Sequence, residues 1–538
     1  MKLKTNLLLV FIICVASFTY AQDWKVYPYE PSGQVAFPVD EGRHTSEPIE
    51  WWYSAGHVVG QNSGKNYSFM YTFFHYPQFG YDGFRILNIT DDDTGTFYQD
   101  VKPVTYTTLS TTDFNIEATV LLGGTEYWRN KVDGMLVPIP FEYELSAASA
   151  TEGLDLEFVT LKRPLILGDD GYLDQGLANY TYYYSQTKND VTGNITVAGV
   201  SEPVIGTGWI DRQYGDFNPL TGEKYEWFSM QLSNGMDINL WNIFTATRQI
   251  PDTEKYKILS AYVDESTQYT SSDFEIERLA FNCMPDDMMC YSKQWRLTST
   301  TNNLDLIIST QHDNTEVQLP FRFFEGATTI TGTVNGNPVT GIGFAELLHD
   351  YQNPEVTITS PNGGVYDTAM PISWTLTNPD DGRPVFYDLE YSVDNQANFL
   401  PVVQGLTDTF YLWTNPTLLT GDDVWFKVIA YSIDGTLTNT IISPTSSSAF
   451  ITLSTQNIEE NKIQLYPNPV DDILTLEFNT NLNDVVYEII DLNGRLIFKS
   501  KKLSTSNIEI KAEHLTSGLY YIKVHHDVIE TVLKFIKK

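Results

Sequence analysis

Cysteine is scarce in this chain of 538 residues, which has three. Cys14 sits in an apolar N-terminal stretch, so the body of the protein holds only Cys283 and Cys290, in C-M-P-D-D-M-M-C. A multi-bridge disulfide scaffold is excluded. Two readings of the pair stay open: a local disulfide, ranked first because export leads to an oxidising compartment, and a metal site using both sulfurs with Asp286 or Asp287. Histidine is sparse too. There are eight, with none between His75 and His312, so none stands near the cysteines to complete a zinc set, and no metal is expected. Basic side chains number 33 against 68 acidic ones, for a net charge of -35. Such a field repels polyphosphate and anionic lipid and speaks against a nucleic-acid partner. There is no phosphate-cradling glycine loop, and no cofactor is expected. Beyond the N-terminus no run approaches the roughly 18 apolar residues of a membrane helix.

What the chain does have is apolar surface, 42% hydrophobic and 14% aromatic residues, enough to offset chain entropy and exclude disorder. Lys2, Lys4, the apolar stretch Leu7 to Val15 and the run Thr19, Tyr20, Ala21 fit a secretory signal over 1–21, with the mature chain starting near Gln22. From Trp24 to about Tyr351, short aromatic and β-branched runs alternate with turns such as N-S-G-K and S-N-G-M, an all-β rhythm. In Y-S-F-M-Y-T-F-F-H-Y both faces are bulky: Phe69, Tyr71 and Phe73 on one, Met70, Thr72 and Phe74 on the other. That suits a strand with a core on one side and a packed neighbour on the other. Composition changes at Asn353 and Pro354. The next hundred residues, 353–453, have the length and the Trp374 and V-W-F-K-V-I-A-Y pattern of an immunoglobulin or fibronectin type III-like β-sandwich; Trp374 and Trp413 are assigned to its core.

The last segment is locally basic, with nine Lys or Arg against four Asp or Glu from Arg495 to Lys538. Its phrases Y-P-N-P, D-L-N-G, L-T-S-G-L-Y-Y-I-K-V and K-F-I-K-K, in that order, closely resemble the C-terminal sorting domain of the type IX secretion system of Bacteroidetes. The resemblance implies a small β-sandwich over 456–538, read by that secretion machinery as its partner, and a secreted or cell-surface protein.

The run G-T-G-W-I-D-R-Q-Y-G, Gly206 to Gly215, places one carboxylate among aromatics. On a strand Trp209, Asp211 and Gln213 share one face, and Ile210 and Arg212 take the other. In a closed cavity desolvation would keep Asp211 protonated near neutrality, ready to protonate an alkene or a leaving oxygen. The plainer reading is an Asp bonded to a neighbouring turn. In H-T-S-E-P-I-E-W-W-Y-S-A-G-H, two adjacent tryptophans stand between His44 and His57; the plainer reading there is a Trp pair plugging a barrel end beside two satisfied histidines.

Taken in order, E-W-W-Y, Y-Y-S, G-W-I-D, E-W-F with Q-L-S-N-G, and G-F-A-E-L resemble the lipocalin-like family of carotenoid hydratases and AttH-like proteins over about 300 residues. The resemblance implies two packed lipocalin-like β-barrel units, 22–198 and 199–352, with a ligand cavity near their contact. Its hydratases carry an Asp two residues after a Tyr, here Trp209 and Asp211, and a His-x-Trp pair that falls on Tyr182, Tyr183 and Tyr184. The hydroxyl and the histidine are thus missing, and the expected chemistry moves away from carotenoid hydration itself. The catalytic candidates are Asp211 as acid with Tyr184, His44 or His57 as base. The ligand wall is assigned to Trp51, Trp52, Tyr53, Trp209, Gln213, Tyr182, Trp227 and Glu346, its indoles facing a developing cation. The leading expectation is a secreted hydro-lyase adding or removing water at a C=C bond of an isoprenoid or polyene, or of an oligosaccharide. Against it stand a non-catalytic lipocalin-like binding protein for a hydrophobic or glycan ligand and a structural or adhesive surface protein.

Overall fold

In a computed structural model the chain is all-β, and residues 23–25, 34–449 and 463–538 are described, apart from 79, 218, 319–320, 367–368, 379–381, 415–417, 493 and 527–528. The signal expected over 1–21 and the boundary expected near 453–456 lie outside the described residues. Two compact units are present, 1–450 and 451–538.

The first sheet has twelve strands, ten of which close into a barrel. Ile49–Gly60 lies between Asn66–Gln78 and Val200–Asp216; Val200–Asp216 pairs onward with Asn179–Val197, which closes the ring by pairing with Gly153–Thr160. Closure leaves these strands no open edge. The 19-residue strand Asn179–Val197 shifts register between Gln186 and Asn189 and bends again at Gly193, whose φ of 137° and close approach to the Asp155 carbonyl admit no side chain. The shift separates an upper half, facing the rest of the protein, from a lower half that seals the barrel.

The second sheet has ten strands, and its last long strand, Asn337–Leu347, pairs with its first, Lys224–Leu232, in the middle of the strand order. Each unit opens with Glu-Trp. Glu50 is buried against Arg212 at 2.5 Å, and Glu226 against Arg278 at 2.5 Å. The following tryptophan points the other way and faces a polar residue across the seam, Trp51 opposite Gln213 and Trp227 opposite Glu346.

Strand alternation divides these side chains among three cores. Trp52, Phe69, Tyr71 and Phe73 fill the first barrel, and Phe228, Trp295 and Leu306 the second. Their strand neighbours Tyr53, Met70, Trp209 and Trp227 form a third apolar layer between the two sheets. The doubly bulky strand Asn66–Gln78 therefore has the two packed faces its sequence called for. An apolar layer of this kind holds the two sheets together.

Cys283 and Cys290 are joined by a disulfide across the hairpin of Glu275–Cys283 and Cys290–Ser299, which settles the two open readings of that pair. A sandwich follows, with Trp374 and Trp413 in its interior as expected. It docks on the disulfide hairpin: Phe281, Tyr351 and Leu437 cluster against the two cysteines, and Phe281 N donates to Asp434 Oδ2 at 2.8 Å. The C-terminal unit is a six-stranded sheet around Leu476, Ile489, Ile522 and Phe535.

Candidate functional site

Three neighbouring strands set two rows of side chains on the outer face of the first barrel. Tyr53, Asp211 and Ser185 stand opposite one another in one row, and Trp51, Gln213 and Tyr183 in the next. All six face the second sheet because they share parity with Trp209. Trp209 Nε1 and Ser185 Oγ each donate to Asp211 Oδ1 at 2.6 Å, and Tyr183 Oη donates to Oδ2 at 2.5 Å. The facing sheet completes the set: Trp227 Nε1 at 3.1 Å and Asn239 Nδ2 at 2.8 Å donate to Tyr183 Oη, and Asn239 Nδ2 also reaches Ser185 Oγ at 3.1 Å.

Burial is the largest influence on Asp211 and raises its pKa from the usual carboxylate range to about 7; hydrogen bonds from Ser185, Tyr183 and Trp209 offset only part of it. Its partners differ in freedom. Two N–H groups occupy the Tyr183 oxygen, which fixes its O–H on Asp211, and an indole N–H can only donate. Ser185 alone can turn its proton away and accept one, so the protonated acid forms on its side.

A second pair of carboxyls stands on the other sheet. Glu325 and Glu346 are opposite each other on Phe323–Val334 and Asn337–Leu347. Tyr53 Oη donates to Glu325 Oε1 at 2.9 Å, and Tyr225 Oη donates to Glu346 Oε1. Burial raises both, and mutual repulsion raises Glu325 further.

These groups surround a cavity of about 920 Å³ between the two sheets. Asp211, Gln213, Glu346, Trp51, Tyr53 and Trp227 line it. One wall is a stack of rings: Trp51 lies 5.2 Å from Phe74, and Phe74 lies 4.8 Å from Phe84. Among the described lining residues Lys224 is the one cation, and it is paired with Asp350.

Other sequence candidates stand elsewhere. Trp209 is buried behind Asp211 rather than on the lining. Tyr184 points into the first barrel, edge-on to Phe37 at 4.9 Å, because it is one residue out of phase with Tyr183. Tyr182 shares that opposite parity and stacks on Tyr214 at 5.1 Å. Trp52 is in the barrel core under the Arg212 guanidinium. His44 lies against Tyr214 and bonds Glu50 at 2.8 Å and Asp40 at 2.9 Å. It forms part of the ionic plug of the barrel end, where Arg212 and His44 outweigh burial and hold the Glu50 carboxyl at about 2. His57 lies between the sheets near the Gly343 carbonyl, 3.3 Å away, and burial lowers it to about 4. None of these six lines the cavity. Tyr183, Ser185, Asn239, Tyr225 and Glu325 were not picked out from sequence. Only the register of Asn179–Val197 against Val200–Asp216 brings Tyr183 and Ser185 to Asp211, and the opposite sheet carried no local signal.

Fold and site together define an all-β protein of two packed lipocalin-like units around an acid-lined apolar cavity. The AttH-like family model matches residues 28–351, more than half of the chain, and the protein belongs to that family. A secretion system C-terminal sorting domain matches residues 464–538; it implies interaction with the type IX secretion machinery and marks the protein as secreted or cell-surface. No curated protein sequence matches the chain. Among solved structures, an AttH from Nitrosomonas europaea is similar at 21% identity, over 61% of this chain and 100% of that one, with a TM-score of 0.49. Kievitone hydratase from Nectria haematococca is similar at 15% identity, over 60% and 94%, with a TM-score of 0.46. Fibronectin(III)-like modules of Clostridium thermocellum CbhA show 19% identity over 34% and 94%, with a TM-score of 0.14.

Proposed function

We propose that the protein is a hydro-lyase acting on a C=C bond of an apolar, isoprenoid-like substrate, with Asp211 as proton donor. The observation that carries this reading is a carboxyl with a pKa of about 7 on the wall of an apolar cavity. Such an acid is half protonated at neutral pH, the condition under which one group serves as proton donor and is then recharged.

In the hydration direction Asp211 gives its proton to one alkene carbon, and the π electrons form that C–H bond. The cation left on the neighbouring carbon is stabilised by the faces of Trp51, Tyr53 and Trp227 and by the carboxylate just formed. Water attacks the cation, and the proton it loses passes to the Glu346 carboxylate. Dehydration is the reverse. The wall favours an isoprenoid over an oligosaccharide, because the surface it presents is mainly apolar and aromatic. A ligand carrier without turnover is the second reading, supported by the same cavity and by the position of both candidate histidines outside it.

Incubating the mature protein with isoprenoid and polyene alkenes in H₂¹⁸O, and following ¹⁸O incorporation by mass spectrometry, separates the two. Incorporation by the wild type that falls at least a hundredfold in Asp211→Asn supports the lyase. Tight binding with no incorporation on any alkene leaves the carrier, and undiminished turnover in the variant removes Asp211 from the chemistry.

A further inference from the structure

Gln213 is fully buried on the lining of this cavity, and among the described residues neither its amide nitrogen nor its amide oxygen has a hydrogen-bond partner. Leaving a buried amide unmatched costs about 1–3 kcal/mol per group, so such a side chain is rare unless something polar comes to meet it. It is flanked across the sheet by Trp51 and Tyr183, one row from Asp211. Two more buried donors lining the same cavity are in the same condition, Trp241 Nε1 and Gln175 Nε2. The cavity thus offers three unmatched donor groups and one unmatched acceptor within an apolar wall.

Charge narrows what can meet them. Asp211 and Glu346 face the space, and Lys224 is engaged with Asp350, so a carboxylate or phosphate would enter beside acidic groups with no free cation among the described lining residues to receive it. A pure hydrocarbon would leave all three donor groups unmet. We infer that the ligand is a neutral apolar molecule carrying a hydroxyl or carbonyl oxygen, and that Gln213 receives this oxygen, with Trp241 and Gln175 as further donors. The inference rests on the cavity being the ligand site. It gives the substrate a polar end as well as an alkene, and it makes Gln213 the residue that places the alkene relative to Asp211 in the adjacent row.

Binding of farnesol, farnesene and farnesoate to the mature full-length protein tests this, since the three share one chain and differ in bearing a hydroxyl, no oxygen or a charge. Quenching of tryptophan emission reports occupancy, because Trp51, Trp227 and Trp241 line the space. Farnesol is expected to bind at least tenfold tighter than either of the others. In Gln213→Met farnesol falls to within about twofold of farnesene while farnesene keeps its wild-type affinity. Trp241→Phe, which removes only an N–H from a packed ring, lowers farnesol affinity alone and decides the matter if the first variant does not fold. Equal binding of farnesol and farnesene by the wild type, or a farnesol preference unchanged in both variants, overturns the assignment. Absence of binding by all three overturns it together with the cavity reading. A farnesol preference that follows Gln213 in a protein that never adds water to an alkene supports the assignment and rejects only the proposed chemistry.

Discussion

At Asp211 desolvation outweighs three hydrogen-bond donors, and that balance fixes both the chemistry and a cost in stability. The folded protein holds this proton up to about pH 7, whereas the unfolded chain releases it near 4. Between those values the native state binds more protons, so stability falls as pH rises and the full cost, about 4 kcal/mol, is present above pH 7. Asp211→Asn removes the titration. Melting curves of both proteins at pH 5 and pH 8 are expected to show the difference in melting temperature moving in favour of the variant at the higher pH; a constant difference contradicts a raised Asp211. Turnover that needs the protonated acid should fall about tenfold per pH unit above 7, read from kcat/KM against pH. The tyrosines give a sharper contrast. Tyr183→Phe removes the O–H that bonds Oδ2 and is expected to lower kcat by about 10²-fold, the scale of losing one preorganised donor. Tyr184→Phe, inside the barrel, should leave kcat within a few fold.

The contrast between neighbouring tyrosines belongs to the strand, where one residue of phase decides which side of a sheet a group serves. Glu-Trp at the head of each unit uses the same rule, sending the carboxylate into a barrel with an arginine and the indole to the shared layer. Glu50 and Glu226 are each fully buried against a buried guanidinium. Changing either to Gln leaves that guanidinium uncompensated and is expected to cost about 3–5 kcal/mol, measured by urea unfolding, while ligand affinity of the remaining folded protein stays near wild type. This division also explains what could be read in advance. Alternation alone placed Trp51, Tyr53, Asp211 and Gln213 on one face, and the doubly bulky Asn66–Gln78 announced a second packed layer. The phase of Y-T-Y-Y-Y-S could not be fixed in the same way, because Tyr182, Tyr183 and Tyr184 are chemically alike and only the register with Val200–Asp216 shows which of them meets Asp211. Glu325, Asn239 and Tyr225 act across the gap between two sheets. That proximity comes from packing, and no spacing along the chain encodes it. The histidines beside E-W-W-Y drew attention as bases, yet His44 is bonded to Glu50 and Asp40 in an ionic plug, and the tryptophans expected to plug the barrel together part to the cavity and the barrel core.

On the scale of the whole molecule the cavity and the sorting domain belong to different compact units, each with its own core. For the neutral ligand proposed, raising ionic strength from about 0.05 to about 0.5 M should change farnesol affinity less than twofold; a steep salt dependence would point to a charged ligand. The disulfide belongs to this scale as well, because Cys283 and Cys290 sit where the second barrel meets the sandwich through Phe281, Tyr351 and Leu437. Closing a loop across seven positions removes about 2–3 kcal/mol of unfolded-chain entropy, and the hairpin it fixes carries the Phe281 N–H that bonds Asp434. A Cys283→Ser, Cys290→Ser protein should therefore unfold at lower urea by that amount and should expose the sandwich junction first, read as faster hydrogen exchange at Phe281 and at Leu437. Exchange at Tyr183 and Asp211 should stay slow, since the layer between the barrels is held by its own apolar contacts. If the two regions lose protection together, the junction and the cavity form one cooperative unit and the bridge is guarding the site itself.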